Sequence, residues 1–283
     1  MSGSPRRTAV TLGEPALAPP GSNDDDGSVP PATGRQPAAA LLLRRPDPGP
    51  RVPGPDRRGM RVSDGVRVFR DRVEAGRELA AALVGRAFTK PVVLALPRGG
   101  VPVAAEVATA LRAPLDLVLV RKIGVPRQPE LALAAVVDGD HPQLVVNEDV
   151  RRFAGVDDAL LERLEAREVA ELERRRRAYL RGREPVPIAG RTAIVIDDGI
   201  ATGATIRAAL IGLRGKRPHA LVLAVPVAPP DTVARLRPEV DDLVCLETPR
   251  HFGAIGAFYR DFRQTPDREV IALLDEHAPD AAS

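Results

Sequence analysis

Two adjacent carboxylates, Asp197 and Asp198, stand directly before a run of small residues, Gly199-Ile200-Ala201-Thr202-Gly203-Ala204-Thr205. Paired acids can accept hydrogen bonds from two neighbouring hydroxyls or hold a divalent cation. Small residues let an anion approach the backbone, and Thr202 and Thr205 add hydroxyl donors. A ligand that carries both sugar hydroxyls and a phosphate would use both halves. The elements that must position them are visible on either side. Thr192 to Ile196 is a short apolar, β-branched run that reads as a buried strand. From Ile206, the segment IRAALIGLR keeps apolar residues at helical spacing. This order puts the acids beyond the carboxyl end of a strand. It puts the loop at a helix N-terminus, where unpaired N–H groups and the positive end of the dipole favour phosphate.

Residues Ile194 to Thr205, IVIDDGIATGAT, resemble the phosphoribosyl pyrophosphate (PRPP) binding motif of the type I phosphoribosyltransferases. That motif is an apolar run, two acids and a small-residue loop ending in Thr-Gly-x-Thr. Two more segments are similar to parts of the same family: Pro97-Arg98-Gly99-Gly100 after an apolar run, and Arg121-Lys122 at the head of RKIGVPRQPE. The Arg-Lys-Ile-Gly-x-Pro run, Gly190-Arg191 ahead of the acidic pair and the late Tyr259-x-Asp261-Phe262 resemble an uncharacterised phosphoribosyltransferase-domain subgroup. The likeness covers residues 60–283.

The resemblance implies an α/β fold of the type I phosphoribosyltransferase kind, a parallel sheet flanked by helices with a small hood or insertion. It implies PRPP and a small-molecule acceptor, a nitrogenous base, as partners, with Mg²⁺ as cofactor. Arg98, Gly99 and Gly100 would then hold pyrophosphate, in a loop that in this family often contains a non-proline cis peptide. Arg121 and Lys122 would belong to a flexible catalytic loop that closes over pyrophosphate. Asp197 and Asp198 would hold the ribose hydroxyls and, through water, the metal. Gly199, Ala201, Thr202, Gly203, Ala204 and Thr205 would anchor the 5′-phosphate. The C1–pyrophosphate bond of PRPP breaks with oxocarbenium character, so the catalytic work is to neutralise the leaving group and shield the cation from water. Lys122, Arg121, Asp197 and Asp198 are the expected catalytic residues. Near the end of the chain, Phe252, Phe258 and Tyr259 could stack on a flat acceptor or pack the core; both roles stay open. One departure matters. The 6-oxopurine enzymes of the family carry an Asp where this chain has Ala201, which disfavours a hypoxanthine–guanine type acceptor. Two other functions fit the same motifs: a regulator that binds PRPP or a nucleotide, and a hydrolase that lets water attack C1. Arg98, Lys122, Asp197 and Asp198 together favour the transferase, because a mere binder needs only the phosphate loop.

Composition divides the 283 residues in two. Residues 1–59 hold 12 of the 29 prolines and none of the eight Phe and Tyr, so they are expected to be a disordered tail. Residues 60–283 are the expected globular domain, with 141–190 and the first helix forming the hood. The pI near 9.5 suggests nucleic acid at first sight. Residues 1–59 carry 8 Arg against 6 acids, which leaves 33 bases and 32 acids for the remainder, so no basic field argues for DNA or RNA. The single cysteine, Cys245, fits a reducing cytoplasm and lies in an apolar run as a small core residue. The run AAALLL at 38–43 is too short to span a bilayer and too far from the start for a secretory signal. Nothing indicates a membrane partner, and a homodimer is compatible with the pattern.

Taken in order, the chain reads as a helix over 67–87, a strand at 92–96, a helix at 103–111 and a buried strand at 115–120. The polar, proline-rich 121–130 reads as a mobile loop. Strands follow at LALAAVV and at 143–147, then a long charged helix over 157–181 whose Arg174 to Arg177 could line an anionic site. Strands at 219–227 and 241–247 and a closing helix at 267–277 complete an alternating βα pattern, hence a parallel sheet.

Overall fold

The computed structural model describes residues 6–10, 67–138 and 142–278, with the backbone alone for 6–10 and Glu130. Five strands build a parallel sheet: β2 (Val92–Ala95), β3 (Leu115–Leu117), β7 (Thr192–Ile196), β8 (Ala220–Val227) and β9 (Asp242–Glu247), in the order β3-β2-β7-β8-β9. These strands are short apolar runs because both faces are covered. Val93, Ala95, Ile194, Ile196, Val222 and Ala224 face a core shared with α1 (Arg72–Leu83) and α2 (Gly100–Leu111). The alternate residues Leu94, Ala193, Val195, Leu221 and Leu223 face α5 (Ala204–Arg214).

From β2 the chain crosses through α2 to β3 on one side; from β7 it crosses through α5 to β8 on the other. The strand order therefore reverses between β2 and β7, whose register pairs Val92 with Ala193 and Ala95 with Ile196. The loops after these two strands leave the sheet side by side, at the crevice where open α/β sheets bind ligands.

A second sheet has the order β1-β6-β5-β4, from β1 (Arg6–Val10), β4 (Val120–Val125), β5 (Gln128–Val137) and β6 (Gln143–Asn147). It corrects several expectations. The run 115–120 is not one strand: it ends at Leu117, and the chain enters the second sheet at Val120. Residues 121–130 are not a loop. They form most of an antiparallel hairpin in which Arg121 pairs with Val136 and Lys122 with Ala135. Residues 6–10, inside the expected disordered tail, form a strand parallel to β6, while the rest of that tail lies outside the described residues. The region 141–190 contains β6, α3 (Glu148–Phe153) and α4 (Asp158–Leu180), but the sheet it joins also draws on 6–10 and 120–137. The first helix starts at Arg72, after Phe69 has made a bridge with Tyr259. It packs on α2, so closely that a Cβ at Gly76 would meet the Val103 carbonyl oxygen at 2.7 Å, and does not join the second sheet. Helix α6 (Pro230–Leu236) links β8 to β9, and α7 (Asp267–Glu276) lies where the closing helix is expected.

Candidate functional site

Asp197 and Asp198 follow the last residue of β7. The Asp198 N–H donates to Asp197 Oδ1 at 2.9 Å, which turns the first carboxylate back on the main chain. Asp198 Oδ2 accepts from Arg72 Nε at 2.8 Å, in a pair whose side chains are only 10% and 11% exposed. The Tyr259 hydroxyl donates to the Asp198 carbonyl oxygen at 2.5 Å. Burial and then the charge on Asp198 push the Asp197 carboxyl well above the ordinary range. Burial also raises the Asp198 carboxyl, and the Arg72 guanidinium opposes that rise.

The Pro97–Gly100 loop leaves the neighbouring strand β2 and lies against this pair. A Cβ at Gly99 would stand 2.0 Å from Asp198 Oδ2, and one at Gly100 would stand 2.8 Å from the Ile196 carbonyl and 2.9 Å from Asp197 Cα. Only glycine fits at either place, so the two loops form one surface. The peptide between Pro97 and Arg98 is cis. Arg98 is half-exposed and pairs with Asp267 at 3.4 Å; the same Asp267 oxygen accepts from the Tyr179 hydroxyl of α4 at 2.8 Å.

Beyond the acids, Ala201, Thr202, Ala204 and Thr205 are exposed. Gly203 turns the chain at φ +80°, and α5 starts with no side chain capping its first N–H groups. Those groups are free for an anion. The loop is tied from behind: Thr232 Oγ1 donates to the Ala201 carbonyl at 2.8 Å and Ile200 N to the Val227 carbonyl at 2.9 Å. Gly199 is also tightly fitted, with a Cβ there 2.6 Å from the Ile255 side chain.

Arg121 and Lys122 stand on β4 of the hairpin. Arg121 pairs with Glu168 of α4 at 2.7 Å, and the Lys122 side chain is exposed. A small cavity of about 40 Å³ is bordered by Pro97, Arg121, Arg175 and Thr205, which brings the two loops, the hairpin and α4 to one place. Arg175 borders this cavity while pairing with Glu171 at 3.0 Å; Arg174 shares Glu171 at 2.7 Å and Arg176 pairs with Asp138 at 3.5 Å.

The late aromatics divide. Phe258 and Tyr259 are buried, each 6% exposed. Tyr259 packs between Phe69 and Phe262, with ring centroids at 5.6 and 5.0 Å, and Phe252 stacks on Phe258 at 5.2 Å. Phe258 and Tyr259 thus take the packing role and not that of an acceptor platform; Phe252 is half-buried. A cavity of about 350 Å³ lies between the start of α1 and residues 261–269, and Arg72 is in its wall. Sequence reasoning missed Arg72. It lies 126 residues from Asp198, and nothing local marks an arginine at a helix start as the partner of a distant acid. Among the described residues no group of three or more His, Cys, Asp or Glu side chains could hold a metal alone. No described helix is long and apolar enough to cross a membrane.

Comparison with known proteins places the chain in a family. A family model described as the phosphoribosyl transferase domain matches residues 69–263. Two proteins of Mycobacterium tuberculosis are 48% identical over 217 residues: "Putative phosphoribosyl transferase Rv0571c" of strain H37Rv and its namesake MT0597 of strain CDC 1551. The match takes in 77% of this chain and 48% of each relative, so the chain spans about half the length of the curated relatives it matches. The crystal structure of TT1426 from Thermus thermophilus superposes with a TM-score of 0.68 at 45% identity, covering 75% of this chain and all of that one.

Proposed function

The chain belongs to the phosphoribosyl transferase domain family, and we propose that it transfers 5-phosphoribosyl from Mg–PRPP to a nitrogenous acceptor with release of pyrophosphate. The observation that carries this reading is the contact between the two strand-end loops, in which Gly99 and Gly100 leave no room for a Cβ beside Asp198 and Asp197. A phosphate at the open start of α5 and a pyrophosphate along Arg98–Gly100 would then bracket a ribose over the acidic pair. C1 is held in place by its two ends, which supplies orientation before reaction.

As the C1–oxygen bond breaks, its electron pair passes to pyrophosphate, and the lone pair of the acceptor nitrogen forms the new C1–N bond. Charge grows on the leaving group, so Arg98, Arg121 and Lys122 act there. Arg98 must leave Asp267 to do so; that contact is long and half-exposed, hence weak. The donor set fits Mg²⁺, which is commonly held by one or two carboxylates with phosphate oxygens and water supplying the rest. Asp197 and Asp198 would hold it, and when bound it neutralises charge on the pyrophosphate. Ala201 offers no proton-transfer group, which favours an acceptor other than a 6-oxopurine. The single cysteine fits action in the cytoplasm, and the near-balance of 33 bases and 32 acids in residues 60–283 fits small-molecule substrates and not nucleic acid.

The reading is tested by incubating the full chain with Mg–PRPP and a panel of nucleobases and small amines while recording pyrophosphate. Acceptor-dependent release is expected. Release at the same rate without any acceptor would make it a hydrolase, and no release with any acceptor would make it a binding protein.

A further inference from the structure

Arg72 is fixed on three sides. Its Nε donates to Asp198 Oδ2 and its Nη1 to the Arg263 carbonyl oxygen, both at 2.8 Å. Its guanidinium lies over the Phe262 ring, 4.0 Å from the centroid. Phe262 stacks on Tyr259, whose hydroxyl donates to the Asp198 carbonyl. Asp198 is therefore gripped through its side chain and its main chain by one connected group. The gripped carboxylate is also the surface against which Gly99 packs, so its orientation sets where the Pro97–Gly100 loop can lie. The Asp197 carboxylate, by contrast, is held by the Asp198 N–H of its own turn.

We propose that Arg72 is a positioning residue for the PRPP site: anchored on Phe262 and the Arg263 carbonyl, it holds Asp198 in the orientation in which the pair meets the ribose hydroxyls. This rests on the PRPP reading above. The three contacts need a planar fork that can donate in two directions while its face is stacked. A lysine ammonium keeps the charge but cannot make all three contacts. A purely structural ion pair would instead contribute to stability alone, and any folded variant would bind ligand normally.

The test uses the full chain. Mg–PRPP is titrated into the wild type, Arg72→Lys and Arg72→Gln, with thermal unfolding of each unliganded protein alongside. Binding should weaken by about tenfold or more in Arg72→Gln, as for loss of a group that orients a ligand-holding residue. Arg72→Lys should fall between. In an Asp198→Asn background Arg72→Gln should add little, because the two act as a unit. A folded Arg72→Gln that binds like the wild type overturns the proposal, as does an equal loss with and without Asp198. If Arg72→Gln does not fold, Arg72→Lys decides: weaker binding supports the proposal and wild-type binding overturns it. A wild type that binds no Mg–PRPP overturns the functional reading itself, whereas wild-type binding with unaffected variants overturns only the role of Arg72.

Discussion

In the parallel sheet, the loops after β2 and β7 are pressed into one another, with glycine Cα atoms against two carboxylates. In the second sheet, the hairpin β4–β5 carries Arg121 and Lys122 on a strand where Ile123 and Val125 are buried and Lys122 is exposed. The first region is built to be in place before a ligand arrives. The second presents charges from a half-exposed strand, with Arg121 paired to Glu168 of α4 and the apolar residues Ile123, Val136 and Val137 packed into the core. That difference suggests a division of labour, with binding in the parallel sheet and leaving-group chemistry in the hairpin.

A pair of glycine substitutions tests the division most severely. Gly99→Ala puts a Cβ 2.0 Å from Asp198 Oδ2, and Gly124→Ala puts one 2.4 Å from the Pro129 carbonyl in the hairpin. Both should lower stability by about 1–3 kcal/mol, as overpacking does. Gly99→Ala should also abolish PRPP binding, while Gly124→Ala should leave it within a few-fold. Equal binding loss in both would erase the distinction. Lys122→Ala comes next. Turnover should fall on the order of a hundredfold with little change in PRPP affinity, because its charge acts on the developing pyrophosphate. An effect on affinity alone would move the hairpin to the binding side.

A finer contrast lies within the acidic pair. Asp198→Asn leaves Arg72 without its buried partner and should cost about 3 kcal/mol of stability. Asp197 makes no ion pair of its own among the described residues, and its carboxyl is raised well above the ordinary range. A carboxyl raised in the folded state favours folding most when protonated, and that advantage is lost as pH rises through the folded value. Asp197→Asn should therefore raise the melting temperature near neutral pH, and the gain should vanish below about pH 4, where the carboxyl is protonated in both states. The same variant should weaken Mg–PRPP binding. A lowered melting temperature at neutral pH would show that the charge of Asp197 is stabilising.

What the sequence made legible follows the same boundary. Strands buried on both faces are unbroken apolar runs, so Val92–Ala95, Thr192–Ile196 and Ala220–Val227 stand out, and with them the loops that must lie at their ends. The hairpin did not stand out. Arg121, Lys122 and Pro126 give 121–130 the composition of a loop, and the partner that makes it a strand is supplied by register with Val136 and Ala135. Tertiary contacts also decided the aromatics: Tyr259 became a support for Asp198 because Phe69 and Phe262 enclose it, which no local pattern announces. Arg72 was invisible for the same reason.

The central claim is that the two interlocked loops form one site for Mg–PRPP. Titration calorimetry of PRPP into the full chain, with and without Mg²⁺, tests it most directly. Binding in the micromolar range that strengthens with Mg²⁺ is the predicted result. No heat at millimolar PRPP in the presence of Mg²⁺ would contradict it.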